Sequence, residues 1–141
     1  MKEKFPNFNG FKYSPAIPQE QGVTRRDPSV VLCIDKQYHV WYSKNFEGRV
    51  QSHSGFTASI YHAVSKDAIN WNETGEALPK GQPGTWDDGG VFTPTVFAWG
   101  DRIYMLYTAM PRAWEQAPAT TKGAIGVAST TNPEGPWQRH G

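Results

Sequence analysis

Two stretches of the chain match each other without a gap. Asp27–Ser43, "DPSVVLCIDKQYHVWYS", lies over Thr93–Ala109, "TPTVFAWGDRIYMLYTA", at a constant offset of 66 residues that pairs Pro28 with Pro94, Val30 with Val96, Tyr38 with Tyr104 and Tyr42 with Thr108. Further on, "HAVSKDAINW" matches "GVASTTNPEGPW", and Trp71 meets Trp137 at the same offset once the second copy is allowed two extra residues in its turn. One unit is repeated. Within it, "SVVLCI" and "YHVWYS" around the polar Asp35-Lys36 read as a hairpin, "ASIYHAVS" as a third strand, Lys66–Trp71 as a turn and "ETGEAL" as a short outer strand.

A small sheet that recurs along a chain cannot bury both of its faces alone and has to stack on its neighbours, which is the logic of a β-propeller blade. The expected fold is therefore all-β, a β-propeller with about two blades present. An extended N-terminal arm covers residues 1–24, where Pro6, Pro15 and Pro18 interrupt any regular period. The first blade runs over 25–79, and a linker with the second blade over 80–141. Propellers close with roughly four to eight blades. Two alone would expose apolar faces beyond the few hundred Å² that monomers tolerate. The chain is thus expected to be a fragment, stopping at "GPWQRHG" where an outer strand begins, or else a unit that self-associates as a homo-oligomer.

Composition narrows the function classes. Six Trp, six Tyr and seven Phe, with 14 Gly and 11 Pro, suit short strands joined by turns. Fourteen Lys plus Arg stand against thirteen Asp plus Glu, and no basic block is longer than Arg25-Arg26, so neither nucleic acid nor an anionic membrane is an expected partner. No stretch approaches the roughly 20 apolar residues of a membrane span, and "MKEKFPNFNGFKYSP" has no signal-peptide core. The compartment, cytoplasm or periplasm, stays open. The single Cys33 excludes an intrachain disulfide and is expected to be buried and inert in its apolar run. No His and carboxylate spacing suggests a bound metal, and no cofactor is expected.

The motifs "TRRDPS", "YHVWYS", "IYHAVSKDAINW", "WDDGGVFTPTV", "YMLYTA" and "GVASTTNPEGPW" together resemble the five-bladed propeller glycoside hydrolases. The chain looks most like family 117, the 3,6-anhydro-α-L-galactosidases acting on neoagarobiose and related red-algal oligosaccharides, and the family is related to family 43. The likeness runs from about Gly22 to Trp137. It implies an exo-acting, inverting hydrolase with an oligosaccharide substrate; the alternatives are a related five-bladed glycosidase on arabinosyl, xylosyl or fructosyl linkages and a non-catalytic carbohydrate-binding propeller unit that self-assembles. "SKDAINW" and "NPEGPW" are widespread among five-bladed glycosidases, whereas "RRDPS" with "IYHA" and "FTP" is more specific.

The resemblance places the general base on Asp27. It also implies that the catalytic acid, a histidine, and a further aspartate come from later blades, so this chain would hold only the base half and be inactive alone. Without the resemblance, Asp27 ahead of Pro28 reads first as a turn residue at the entry to a strand. The repeat bears on the choice: Thr93 stands where Asp27 does, so blade entry does not require a carboxylate.

Arg26 is expected to orient Asp27 or bind substrate hydroxyls, with Arg25 on the opposite face of the strand and out of that pocket. Thr93 either bonds to sugar or caps its strand. His62 either reaches the channel and meets a sugar hydroxyl or is a buried histidine. In "GTWDDGG", Asp87 and Asp88 lie just ahead of the second inner strand; Asp88 is the favoured binding residue and Trp86 a ring on which a sugar stacks. Trp41, Trp71, Trp99 and Trp137 are expected to pack between sheets. Thr108 stands where the resemblance leads one to expect Gln.

Overall fold

Asp35 and Lys36 take φ values of 50° and 64°. A two-residue hairpin needs that left-handed conformation at both central positions to follow the twist of its strands. The computed structural model, which describes residues 14–46, 57–115 and 122–140, has two antiparallel sheets. The first contains β1 (Thr24–Arg26), β2 (Leu32–Ile34), β3 (Gln37–Asn45), β4 (Ser59–Ser65) and β5 (Asn72–Leu78). The second contains β6 (Gly90–Trp99), β7 (Arg102–Met110), β8 (Ala124–Thr130) and β9 (Gln138–His140), with one turn of 3-10 helix over Arg112–Glu115. Both are meanders, and they are about two blades of the five-bladed propeller type.

The inner strand of the first blade is interrupted. β1 and β2 both pair with β3, and Ser29–Val31, expected within a strand, lies between them without regular structure. Asp27 at φ 53° turns the chain out of the pleat, and Pro28 has no amide to offer the ladder. Ser29 repairs the gap, its amide donating to Trp41 O at 2.7 Å and its Oγ accepting from Trp41 N at 3.1 Å. In the second blade β6 runs through the equivalent place with a register shift between Phe92 and Thr95. The repeat also slips once. Ile34 pairs with Gln37 but Trp99 with Arg102, an offset of 65, because Gly100 at φ 62° moves the second hairpin turn one residue earlier.

The core lies between the sheets. Trp41, Ile60 and Leu78 of the first meet Val91, Val96, Met105, Tyr107 and Trp137 of the second. Trp41 and Trp137 touch edge to face, 5.8 Å between centroids. Truncating a side chain such as Trp41, which is fully buried, costs about 3–5 kcal/mol.

Three expectations about burial are corrected. Trp71 packs on the other face of the first sheet with Val40 and Tyr42, where Ile17 of the arm also lies. Trp99 is 74% exposed. Cys33 is exposed rather than buried, since Leu32 and Ile34 on either side of it turn inward to the core and strand alternation sends the thiol outward. Phe97 and Ile125 are likewise open on the second sheet. Residues 14–23 contain no helix or strand. Residues 1–13 of the expected arm and the polar stretch with His53 lie outside the described residues.

Candidate active site

Asp27 and Thr93, 66 residues apart, share one backbone conformation at φ 53° and 51°. Each is followed by proline, which disfavours helical backbone in the residue before it, and for the β-branched Thr93 a positive φ is a true outlier. Strain of this kind persists where the surrounding fold over-determines it, and it concentrates at functional sites. Both residues break the inner edge of their blades at the same level.

Around this pair the side chains converge. Arg26 Nε lies 3.2 Å from Asp27 Oδ2, the two side chains being 30% and 32% exposed. Ser43, fixed opposite Arg26 by the β1–β3 register, donates from Oγ to the same oxygen at 3.3 Å. Its Oγ also accepts from the Thr93 amide at 2.9 Å. Thr93 Oγ1 donates to Thr108 Oγ1 at 2.7 Å. Arg26, Asp27, Ser43, Thr93 and Thr108 thus form one polar cluster across the two blades. Arg25 runs elsewhere, to Glu73 at 3.1 Å and Glu20 at 2.9 Å. The two arginines do border one open groove with Tyr42 and Trp71, so the expected separation is incomplete.

Of the other expected site residues, His62 and Asp88 make internal contacts and Trp86 stays partly open. His62 is 1% exposed. Its Nε2 faces His39 Nδ1 at 3.0 Å, its Nδ1 meets Thr74 Oγ1 at 2.7 Å, and its ring stacks on Trp41 at 4.8 Å. Burial, and then the neighbouring His39, push its pKa down to about 4. Asp88 is buried, with Oδ1 accepting from Arg112 N at 2.6 Å and Oδ2 from Gly84 N at 2.8 Å. Those backbone amides hold its carboxyl below the usual range. Asp87 is also buried and accepts from Thr85 Oγ1 and Arg139 Nε at 2.7 Å and 2.8 Å. Trp86 is 40% exposed and lies over Tyr107, with ring centroids 6.1 Å apart.

Sequence reasoning missed Ser43, though a signal was present. At the offset that pairs Asp27 with Thr93, Ser43 pairs with Ala109, so hydroxyl and carboxylate occur in the same copy of the repeat. It also missed a charge cluster on the far side of the first sheet. There Glu73 accepts from Lys44 at 2.5 Å, from Arg25 and from Tyr42 Oη. Burial raises the Glu73 pKa, but these bonds outweigh it and leave the carboxyl below its ordinary value. Among the described residues no three His, Cys, Asp or Glu side chains converge as metal ligands.

Residues 20–139 match the family model of the glycosyl hydrolases family 32 N-terminal domain. The chain belongs to that family. It is 27% identical over 92 residues to a sucrose-6-phosphate hydrolase of Pediococcus pentosaceus, which covers 64% of this chain and 17% of that protein. It is 28% identical over 111 residues to a bifunctional 6(G)-fructosyltransferase/2,1-fructan:2,1-fructan 1-fructosyltransferase of Allium cepa, covering 78% and 16%. This family 32 domain also resembles Zg3597, a family 117 glycoside hydrolase of the marine bacterium Zobellia galactanivorans, with a TM-score of 0.72 and 22% identity over 85% of this chain and 38% of that one. That second likeness is one of fold. The chain therefore spans well under half of each relative. Motifs such as "SKDAINW" build blade turns, with Asp67 accepting from the Ile69 and Asn70 amides at 2.9 Å and 2.8 Å, so they follow the propeller rather than one substrate.

Proposed function

We propose that this chain contributes the Asp27 half of a glycosidase active site that cleaves an O-glycosyl bond in an oligosaccharide. The observation that carries this reading is the state of the Asp27 carboxylate: partly exposed, on a strained turn, with its arginine and serine contacts both on Oδ2. Oδ1 is then the oxygen that a water molecule or a sugar carbon meets. Asp87 and Asp88, in contrast, spend their oxygens on internal donors. Arg26, with Nε 3.2 Å from Oδ2, helps to orient the Asp27 carboxylate, and Thr93 and Thr108 offer hydroxyls to the sugar.

In the inverting reading Asp27 takes a proton from water as it attacks the anomeric carbon, while an acid from another part of the protein protonates the leaving oxygen. The family 117 motifs favour this course, with an exo-acting enzyme and a terminal 3,6-anhydro-L-galactose. A second reading has specific support in the family 32 match and the two fructosyl-acting relatives. There the linkage is fructosyl: Asp27 attacks the anomeric carbon as the glycosidic bond breaks and an acid from another part of the protein protonates the leaving oxygen, and water then cleaves the fructosyl–Asp27 ester with retention.

Proton NMR of the first-formed anomer, with neoagarobiose and sucrose as substrates for a protein carrying the remaining blades, separates the two. Inversion on neoagarobiose supports the first reading, and retention on sucrose the second. In either case Asp27→Asn is expected to lower kcat by at least about 10²–10⁴-fold, the usual size of an acid-base contribution. Full activity in that variant would sink the assignment. The 141-residue chain alone is expected to show only background hydrolysis, and robust turnover would disprove the half-site reading.

A further inference from the structure

We propose that Ser43 is a positioning residue that ties the Asp27 carboxylate to the backbone of the second blade. Its hydroxyl has one proton to donate. The Thr93 amide can only donate, so Ser43 Oγ accepts that bond at 2.9 Å and its own proton is left for Asp27 Oδ2 at 3.3 Å. The result is a directed chain from amide to hydroxyl to carboxylate. Each bond polarises the next, and the charged end strengthens the whole.

The components lie on separate elements. Asp27 follows β1, Ser43 is on β3 and Thr93 is at the irregularity of β6, 50 residues from Ser43. Thr93 falls in the gap between the ladder pairs Phe92–Thr108 and Thr95–Leu106. Ser43 is 1% exposed, so solvent does not compete for its hydroxyl. Arg26 holds the same oxygen from the other direction but is itself 30% exposed and loses more to water. The buried serine is therefore the firmer of the two restraints on the direction of the carboxylate.

The repeat separates this role from simple packing. Ala109 occupies the equivalent place in the second blade and is fully buried there, so a small apolar residue satisfies the strand. The serine occurs only beside the aspartate. In the second blade, where Thr93 replaces Asp27, the hydroxyl partner is instead Thr108, one residue before Ala109.

The catalytic consequence rests on the reading of Asp27 given above, but the relay is open to test without it. In the 15N-labelled 141-residue chain, Asp27→Asn is expected to shift the Thr93 amide resonance when Ser43 is present. In the Ser43→Ala background the same change is expected to leave it still, and Ser43→Thr, which keeps the hydroxyl, should restore the response. A Thr93 amide that ignores Asp27→Asn in the Ser43 chain, or responds equally without the serine, overturns the relay. Should Ser43→Ala not fold, the Ser43 and Ser43→Thr chains still decide it. In a protein carrying the remaining blades, Ser43→Ala is expected to lower kcat by about 10- to 100-fold with KM unchanged, as for a restraint on a reacting group. An intact relay without hydrolysis faults the glycosidase reading, whereas hydrolysis unaffected by Ser43→Ala faults the positioning role.

Discussion

His39 Nδ1 and His62 Nε2 face each other at 3.0 Å, with their rings 12° from parallel. Thr74 Oγ1 donates to the His62 carbonyl and so accepts from His62 Nδ1, which leaves Nε2 as the acceptor turned toward His39. A proton added at Nε2 removes this bond and places a charge beside Trp41. Both pKa values lie below the ordinary one, chiefly through burial, although Glu134 and Asp35 pull that of His39 back up. The unfolded chain therefore takes up protons first as pH falls. Stability is complete above the unfolded pKa near 6.5 and is lost toward the folded value of about 4 for His62. From that residue the loss is on the order of 3 kcal/mol. Urea melts between pH 7.5 and 4.5 check this: His62→Asn should flatten the dependence, and equal slopes in the two proteins would refute it.

Glu73 is the common acceptor for Lys44, Arg25 and Tyr42, and the Lys44 side chain is only 5% exposed. Phe46 and Tyr61 lie under the ammonium at 4.9 Å and 4.6 Å but carry no formal charge to replace the carboxylate. Glu73→Ala is expected to cost about 3 kcal/mol, because it leaves the buried Lys44 ammonium only the exposed Glu20 carboxylate at 3.8 Å. Replacing both partners, as Lys44→Met with Glu73→Leu, should cost clearly less. Denaturant midpoints decide, and a double variant no better than Glu73→Ala would refute the stranded-charge account.

Asp88 has the chemistry of a splint for the loop ahead of β6. Asp88→Ala leaves the Gly84 and Arg112 amides without their acceptor and is expected to cost about 2–3 kcal/mol, as for hydrogen bonds to a buried charge. Its pKa is depressed by those amides, so the contribution is present above the ordinary carboxylate pKa and lost as pH falls through the folded value. Asp88→Asn, which retains one acceptor, should be milder. A variant as stable as the parent but weaker in sugar binding would return Asp88 to the substrate.

The parts of the fold legible in the sequence were those with a local cause. Asp35-Lys36 declares a hairpin, and the match of Pro28 with Pro94 sets Asp27 and Thr93 at equivalent points of the two blades, where they share a positive φ. The strand order follows from the same repeat. What escaped depends on partners distant in the chain. The bond from Ser43 to Thr93 spans 50 residues, that from Arg112 to Asp88 spans 24, and no periodicity reports either. Ser43 escaped notice for this reason: a serine inside an apolar strand meets the partly exposed Asp27 carboxylate, while both oxygens of Asp88 accept from backbone amides. The exposure of Trp99 and Cys33 has another cause, since each sits on a sheet face that the partner blade does not cover.

Gly126 pairs with Tyr107 across β7 and β8, as His62 pairs with Trp41 in the first blade. The aromatic that covers the strand residue is different in each case: His62 itself stacks on Trp41, whereas the glycine leaves space in which Trp86 lies over Tyr107. A Cβ at Gly126 would collide with the Tyr107 phenol and come within 2.7 Å of Trp86 Cη2. Trp86 is 40% exposed and can swing away, but Tyr107 at 1% cannot. Gly126→Ala is therefore expected to cost about 1–3 kcal/mol, the usual range for an overfilled core. It should also shift Trp86 emission to the red as that ring moves into water. Combining it with Trp86→Ala should recover little of the loss, because the stricter clash is with Tyr107. Full recovery in the double variant would show instead that the glycine serves the tryptophan alone.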